Sequence, residues 1–298
     1  FEIVDGNPDI DRIFFFNAPW LSRGGWKSSW KEVPSLITLL KRETFDIYYC
    51  LRADLVGNMI GFFAKIPQRV GFTNGGGGFF LTVAFNEAVG VHQTSVLLQL
   101  LGDFKGASKT ASPVLALSHK EREKANTILK RYNLFGKKLV GIHLGAGYPS
   151  KIWSVDKFGT LIRKVFLEYG YTPIVVGGRD DKLIARGIHE VLDECEGVVL
   201  AGEVNLKGTA ALLERCSLFI GNDSGPAHIA GALGIPAVVI FSMANSPERW
   251  HPCGGQVSLV YKDVPCKGCE RSVCSDKRCL DLITAEDVFS EVSKVMVL

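Results

Sequence analysis

The chain has 298 residues, of which 47% are hydrophobic and 22% charged, with a formal net charge of +3. That length suits one large or two medium domains with ample core, in the composition range of a soluble globular protein. The small net charge gives no basis for nucleic-acid binding. The longest apolar stretch, Leu218 to Phe241, contains Asp223, His228 and two prolines, so it reads as strand–helix–strand rather than a membrane span.

Short apolar runs alternate with amphipathic segments along the chain, which predicts an α/β fold with parallel sheets. The first residues, Phe1 to Pro8, lack an initiator Met and begin in mid-pattern, so the expectation is a chain trimmed of an upstream element. Strands are predicted at Arg12–Phe16, Asp46–Cys50 and Arg69–Phe72, and helices at Trp30–Arg42, Leu55–Ala64 and Gln93–Leu101. Lys105 to Pro113 reads as a linker. Ser118 to Tyr132 follows as a charged helix with a capping box, Ser118 and Glu121. Strands are then predicted at Leu139–Leu144, Thr172–Val176, Gly197–Leu200, Leu218–Ile220 and Ala237–Phe241. The intervening helices are Val155–Tyr169, Asp181–Leu192, Lys207–Arg215 and Pro226–Leu233, with Thr284–Met296 as the last. That repetition is a doubly wound sheet, whose ligands sit beyond the carboxyl ends of the strands.

Three segments fall at such ends. Gly221-Asn222-Asp223-Ser224-Gly225-Pro226-Ala227-His228 joins a strand to a small-residue helix, with Asp223 and Ser224 as natural N-cap types. The helix start offers free backbone N–H groups to a phosphate, Gly225 permits close approach, and His228 lies one turn in. His143 to Trp153 is a glycine-containing loop whose Lys151 offers a point charge; a surface loop with a solvated lysine is the plain alternative. In Gly177-Gly178-Arg179-Asp180-Asp181 a carboxylate could hold ribose hydroxyls, and helix capping by Asp180 or Asp181 is the plainer reading. Together they describe a nucleotide-diphosphate pocket. A Walker A sequence and a dinucleotide G-x-G-x-x-G are both absent, which disfavours a P-loop NTPase and an NAD enzyme.

Asp223-Ser224-Gly225-Pro226-x-His228, His143-x-Gly145-Ala146 and Lys151-x-Trp153 resemble glycosyltransferase family 9, the ADP-heptose:lipopolysaccharide heptosyltransferases. The likeness extends to Gly6–Asp11, Leu51-Arg52-Ala53-Asp54 and Arg69-Val70-Gly71-Phe72. It implies a GT-B architecture of two Rossmann-like domains with parallel sheets facing a central cleft. On that reading residues 1–112 form the acceptor-side domain, shortened at its start, and 113–283 the nucleotide-sugar domain. Residues 284–298 form a final helix that packs back toward the N-terminal domain. The resemblance implies inverting, metal-independent transfer of heptose from ADP-heptose to the lipopolysaccharide core. This would occur in the cytoplasm, peripheral to the inner membrane through the acceptor, with no required cofactor.

Carried over residue by residue, Lys151 would hold the diphosphate, and Asp223, Ser224 and Gly225 with His228 would cradle it. Asp181 falls at the ribose position with Asp180 a near-equal candidate, and Val204 backs the adenine. Arg52, Asp54 and Arg69 lie on the acceptor side, where a hairpin with solvated charges is the plain alternative. The family's general base is an Asp in a Gly-Asp turn after the first strand, so the base is expected upstream of Phe1. Two rivals follow: a nucleotide-sugar-binding module without transfer, and a nucleotide-sugar epimerase on the same scaffold.

Eight cysteines are present, and Cys266-x2-Cys269-x4-Cys274-x4-Cys279 places four in one short segment. A structural zinc, reduced thiols and disulfides are the open readings.

Overall fold

In the computed structural model, residues 2–16, 18, 32–102 and 112–297 are described. Their contacts divide the chain into a smaller unit, Arg12–Ala111, and a larger one, Phe1–Asp11 with Ser112–Leu298. Most of the predicted linker lies outside the described residues.

The smaller unit runs α1 (Val33–Glu43), β1 (Ile47–Tyr49), α2 (Leu55–Phe63), β2 (Gln68–Phe72), β3 (Val83–Phe85) and α3 (Gln93–Leu98). Its strands form a parallel sheet in the order β1-β2-β3, with Val70 opposite both Tyr49 and Val83. Val70, Phe72, Val96 and Leu100 make its core. The predicted strand Arg12–Phe16 is irregular, with Phe15 exposed. Arg12 instead pairs with Glu43 at the end of α1. The three-residue β3 was too short to show a period.

The larger unit continues with α4 (His119–Arg131), β4 (Leu139–His143), α5 (Val155–Tyr169), β5 (Thr172–Val175), α6 (Arg179–Ile184) and α7 (His189–Glu194). It then runs β6 (Val198–Val199), α8 (Leu206–Leu213), β7 (Leu218–Asn222), α9 (Gly225–Ala232) and β8 (Ala237–Ile240). The end of the chain supplies α10 (Pro247–Trp250), β9 (Val257–Val260), α11 (Arg278–Asp281) and α12 (Ala285–Val297). Six parallel strands lie in the order β6-β5-β4-β7-β8-β9. Strand alternation divides their side chains between two cores: Val140, Ile142 and Ile220 meet α5 and α12, whereas Leu139, Phe219 and Val239 meet α4, α8 and α9.

Ser118 and Glu121 form the expected capping box on α4. The single helix predicted at Asp181–Leu192 is two, separated by a 3-10 turn over Ala185–Ile188. Gly187 in that turn passes so close to α5 that a Cβ there would lie 2.9 Å from Val155 Cγ1. Strand β9 was not foreseen.

Residues 1–11, expected in the N-terminal domain, belong to the larger unit. The Leu206 N–H donates to Glu2 Oε2 at 3.1 Å, Lys207 Nζ donates to the Asp5 carbonyl, and Ile3 packs on the core. Helix α12, expected to pack toward the N-terminal domain, is embedded in the larger unit, where Val288 and Val292 are fully buried. Among the described residues no helix is long and apolar enough to cross a membrane.

Candidate donor-binding site at the switch point

The chain winds outward from β4 through β5 to β6, then returns to place β7 against β4 on the other side. The carboxyl ends of β4 and β7 are therefore the switch point at which doubly wound sheets bind ligands. Both strands are apolar until their last residue, and each ends on a polar one, His143 and Asn222.

Asn222 is fully buried. Its Nδ2 donates to the Leu144 and Gly145 carbonyls at 2.7 and 3.2 Å, and its Oδ1 accepts from the Trp153 N–H at 3.2 Å. One amide thus fixes both ends of the glycine loop to β7.

Asp223 follows, 4% exposed, with Lys151 Nζ donating to Oδ2 at 2.5 Å and Asn245 Nδ2 at 3.3 Å. Ser224 occupies the N-cap position of α9 in extended backbone, but its side chain makes no capping bond. Its hydroxyl lies 2.8 Å from His143 Nδ1 and 3.0 Å from the Asn222 carbonyl. The expectation that Asp223 or Ser224 caps the helix is therefore corrected, because each side chain is engaged elsewhere. Among the described residues no side chain caps α9, and a Cβ on Gly225 would meet nothing within 4 Å.

On the other wall, Asp181 is buried. His143 Nε2 lies 3.3 Å from Oδ1, and the Gly178 N–H donates to Oδ2 at 2.6 Å. His143 faces Asp181 through Nε2 and Ser224 through Nδ1, which links the two walls through one imidazole. A Cβ on Gly145 would stand 1.9 Å from Asp181 Oδ1, and one on Gly177 2.3 Å from Oδ2, so two glycines make the space this carboxylate needs. Burial pushes the Asp181 carboxyl up. The bond to and charge of His143, with the Gly178 and Gly145 backbone, outweigh that and hold it below the usual carboxylate range. The capping reading thus applies to Asp181, and the neighbouring Asp180 is the exposed acid.

The Gly145–Gly147 loop, the turn 178–181 and Ser224–Pro226 line an open cleft of about 740 Å³. The structure brings Asp180, Asp181, Ser224 and Gly225 to this cleft. Lys151 stands behind it, its side chain 12% exposed and paired with Asp223. His228 is exposed on α9. Val204 lines a different cleft, of about 730 Å³, between α4 and the start of α8. Sequence reasoning assigned no role to Asn222 or to His143. The available signal was a lone polar residue closing a fully apolar strand.

In the smaller unit, Asp54 caps α2, its Oδ1 accepting from the Gly57 N–H at 2.6 Å. Arg69 Nε donates to the Phe80 carbonyl at 2.6 Å and Nη1 to those of Ile66 and Pro67 at 2.6 and 3.1 Å, with the guanidinium over the Phe62 ring. Arg52 is exposed, 3.9 Å from Asp54. All eight cysteines are free thiols. Among the described residues no three of the sulfurs of Cys266, Cys269, Cys274 and Cys279 are gathered within 4.8 Å of one another.

The profile of glycosyltransferase family 9 (heptosyltransferase) matches residues 33–280. The chain belongs to glycosyltransferase family 9. It is 28% identical over 168 residues to lipooligosaccharide heptosyltransferase 2 of Campylobacter jejuni, a match covering 54% of this chain and 52% of that protein. The chain thus spans about half the length of that family 9 relative. It is 29% identical over 307 residues to lipopolysaccharide heptosyltransferase 3 of Escherichia coli K12, covering 99% of this chain and 86% of that one. The solved structure of E. coli heptosyltransferase WaaC with ADP-2-deoxy-2-fluoro heptose superposes with a TM-score of 0.64 at 16% identity, covering 91% of this chain and 80% of that one. The fold of family 9, α/β with parallel sheets in the GT-B class, is the fold of this chain.

Proposed function

We propose that this family 9 chain transfers heptose from ADP-heptose to a hydroxyl of the lipopolysaccharide inner core, with inversion and without a catalytic metal. The supporting observation is the uncapped start of α9 at the switch point, facing the cleft beside a glycine loop and an exposed carboxylate. Backbone N–H groups and the helix dipole suit a diphosphate there, and they stabilise the charge that builds on it as the sugar departs. Asp180 is the ribose ligand on this reading, since the oxygens of Asp181 are already bonded. Lys151 bonds Asp223, so it reaches the diphosphate by exchanging that partner, and it otherwise frames the turn. The acceptor places the reaction on the cytoplasmic side of the inner membrane, with contact through the lipopolysaccharide itself.

Calorimetry of ADP, AMP and adenosine tests the donor half. ADP is expected to bind at least tenfold more tightly than adenosine, and Lys151→Ala to remove most of that difference. Equal affinity for ADP and adenosine in the unaltered chain overturns the phosphate cradle. Incubation with ADP-heptose tests the transfer half: ADP release that requires lipopolysaccharide acceptor supports it. Free sugar without acceptor indicates an epimerase, and tight binding with no release indicates a binding module.

A further inference from the structure

His143 closes β4 as a buried residue, 5% exposed, and both walls of the cleft meet on its ring. Nε2 lies 3.3 Å from Asp181 Oδ1 on one wall, and Nδ1 lies 2.8 Å from the Ser224 hydroxyl on the other. Both neighbours are held in place. Asp181 Oδ2 accepts from the Gly178 N–H at 2.6 Å, and Gly145 and Gly177 press on the carboxylate. Ser224 starts α9 in extended backbone, with its hydroxyl also 3.0 Å from the Asn222 carbonyl.

A serine hydroxyl has one proton to give, and a neutral imidazole has one donor and one acceptor. A bare ring nitrogen against the Asp181 carboxylate would set lone pair against lone pair. A singly protonated His143 therefore keeps its proton on Nε2, and its Nδ1 draws the Ser224 proton inward. The hydroxyl then has no proton to offer the cleft. A second proton on the ring reverses that bond. Nδ1–H donates to the Ser224 oxygen, Asp181 balances the imidazolium charge, and the Ser224 proton turns outward to an anion at the start of α9. The new positive charge stands one hydroxyl behind the uncapped helix start, where it favours a diphosphate.

We propose that His143 is a positioning residue of the phosphate cradle, which takes up one proton as the diphosphate docks and so aims the Ser224 hydroxyl at the phosphate oxygens. The proton comes from solvent and returns to it when the nucleotide leaves, and no bond of the ligand is made or broken. The role rests on the donor-site reading above. The other titratable side chains lining the cleft are Arg179, Asp180 and Asp181, with the Lys151–Asp223 pair behind it. Carboxylic acids, ammonium and guanidinium groups titrate outside the range of an imidazole, so a proton count singles out a histidine. His228, exposed on α9, is the second imidazole that the test has to separate.

Calorimetry of ADP-heptose on the whole chain provides that test. A diphosphate esterified at both ends lacks the second phosphate ionisation near pH 6, so the ligand itself contributes no proton. Titrations in buffers of different ionisation enthalpy are expected to show proton uptake on binding between about pH 6 and pH 8. Affinity is expected to rise up to about tenfold for each unit that the pH falls through that window. His143→Asn keeps an amide donor beside Ser224 but takes up no proton. Its affinity is expected to stay within about tenfold of the unaltered chain, with no uptake and a flat pH profile. Ser224→Ala leaves the ring intact but removes the hydroxyl it serves, and should also abolish uptake, whereas His228→Asn should preserve it. Binding without proton uptake overturns the positioning role and leaves the donor reading standing. So does uptake that survives His143→Asn or Ser224→Ala, or that vanishes with His228→Asn. Failure of ADP-heptose to bind the unaltered chain at any of these pH values overturns both.

Discussion

The two units handle their buried polar groups in opposite ways. In the larger unit four central strands are wholly buried, and the polar ends of two of them, β4 and β7, converge: Asn222 bonds the loop after β4, and Ser224 meets His143, across the switch point. In the smaller unit β1 and β3 are largely exposed, Arg52 stays exposed, and the motif residues Asp54 and Arg69, with the buried Asn58, turn inward on the backbone. Asp54 caps α2, Asn58 Nδ2 donates to the Phe72 and Gly76 carbonyls, and Arg69 holds three carbonyls. The difference teaches that a charged motif residue marks a ligand only where the backbone has not already claimed its donors. By that measure Asp180, exposed on the cleft of the larger unit, is the candidate ligand, and the motif residues Asp54 and Arg69 hold a loop.

The largest effect that would break this comparison is at Lys151. Removing its ammonium leaves the buried Asp223 carboxylate, among the described residues, with only the Asn245 amide as side-chain partner. Lys151→Ala is therefore expected to cost about 3–5 kcal/mol, read by urea unfolding of the larger unit. The double variant Lys151→Met with Asp223→Asn removes both charges and should recover most of that loss. A cost below 1 kcal/mol for Lys151→Ala would mean that the pair is solvated and that Lys151 is free for ligand from the outset.

Arg69 supplies the converse case. Its guanidinium reaches Ile66 and Pro67 at the start of β2 and Phe80 beyond it, and stacks on Phe62, so Arg69→Ala should destabilise the smaller unit by about 2 kcal/mol. Hydrogen exchange of the β2 amides is the readout, with ADP affinity unchanged. Arg69→Lys keeps the charge but loses the planar fork, and it should not rescue the exchange rates. Full rescue by lysine would show that charge, and hence an acceptor, is what this position serves.

Much of the fold of the larger unit was legible because its strands are apolar throughout, with helices of clear 3.6-residue period between them. Leu139–His143, Val155–Tyr169 and Ala237–Ile240 emerge within a residue of expectation. What was not legible depends on contacts. Nothing in the run Arg12–Phe16 tells that it stays irregular, and nothing in Val257–Val260 tells that it pairs with β8. At the site, residue types showed that a carboxylate follows Gly177-Gly178. Only the fit of Asp181 between Gly145 and Gly177 shows which of the two acids is enclosed and which is open. Val204 was placed by analogy, and the structure puts it in a cleft of its own.

The smallest effect sharpens that last distinction by pH. Burial raises the Asp181 carboxyl, but His143 and the two backbone groups lower it by more, so its folded value lies below the unfolded value of about 3.9. A lowered folded value means the unfolded chain binds the proton more readily. The stabilisation is therefore present above pH 4 and is lost as pH falls through the folded value. Asp181→Asn, which still accepts one hydrogen bond, should cost about 1 kcal/mol at pH 7. Its deficit should shrink to nothing on acidification, where the native carboxyl is protonated too. Asp180→Asn, exposed on the cleft, should leave the stability profile unchanged at every pH and weaken ADP relative to inorganic pyrophosphate. If instead Asp180→Asn shows the pH-dependent deficit and Asp181→Asn the weaker ADP binding, the enclosed and the open acid have been exchanged, and with them the two walls of the site.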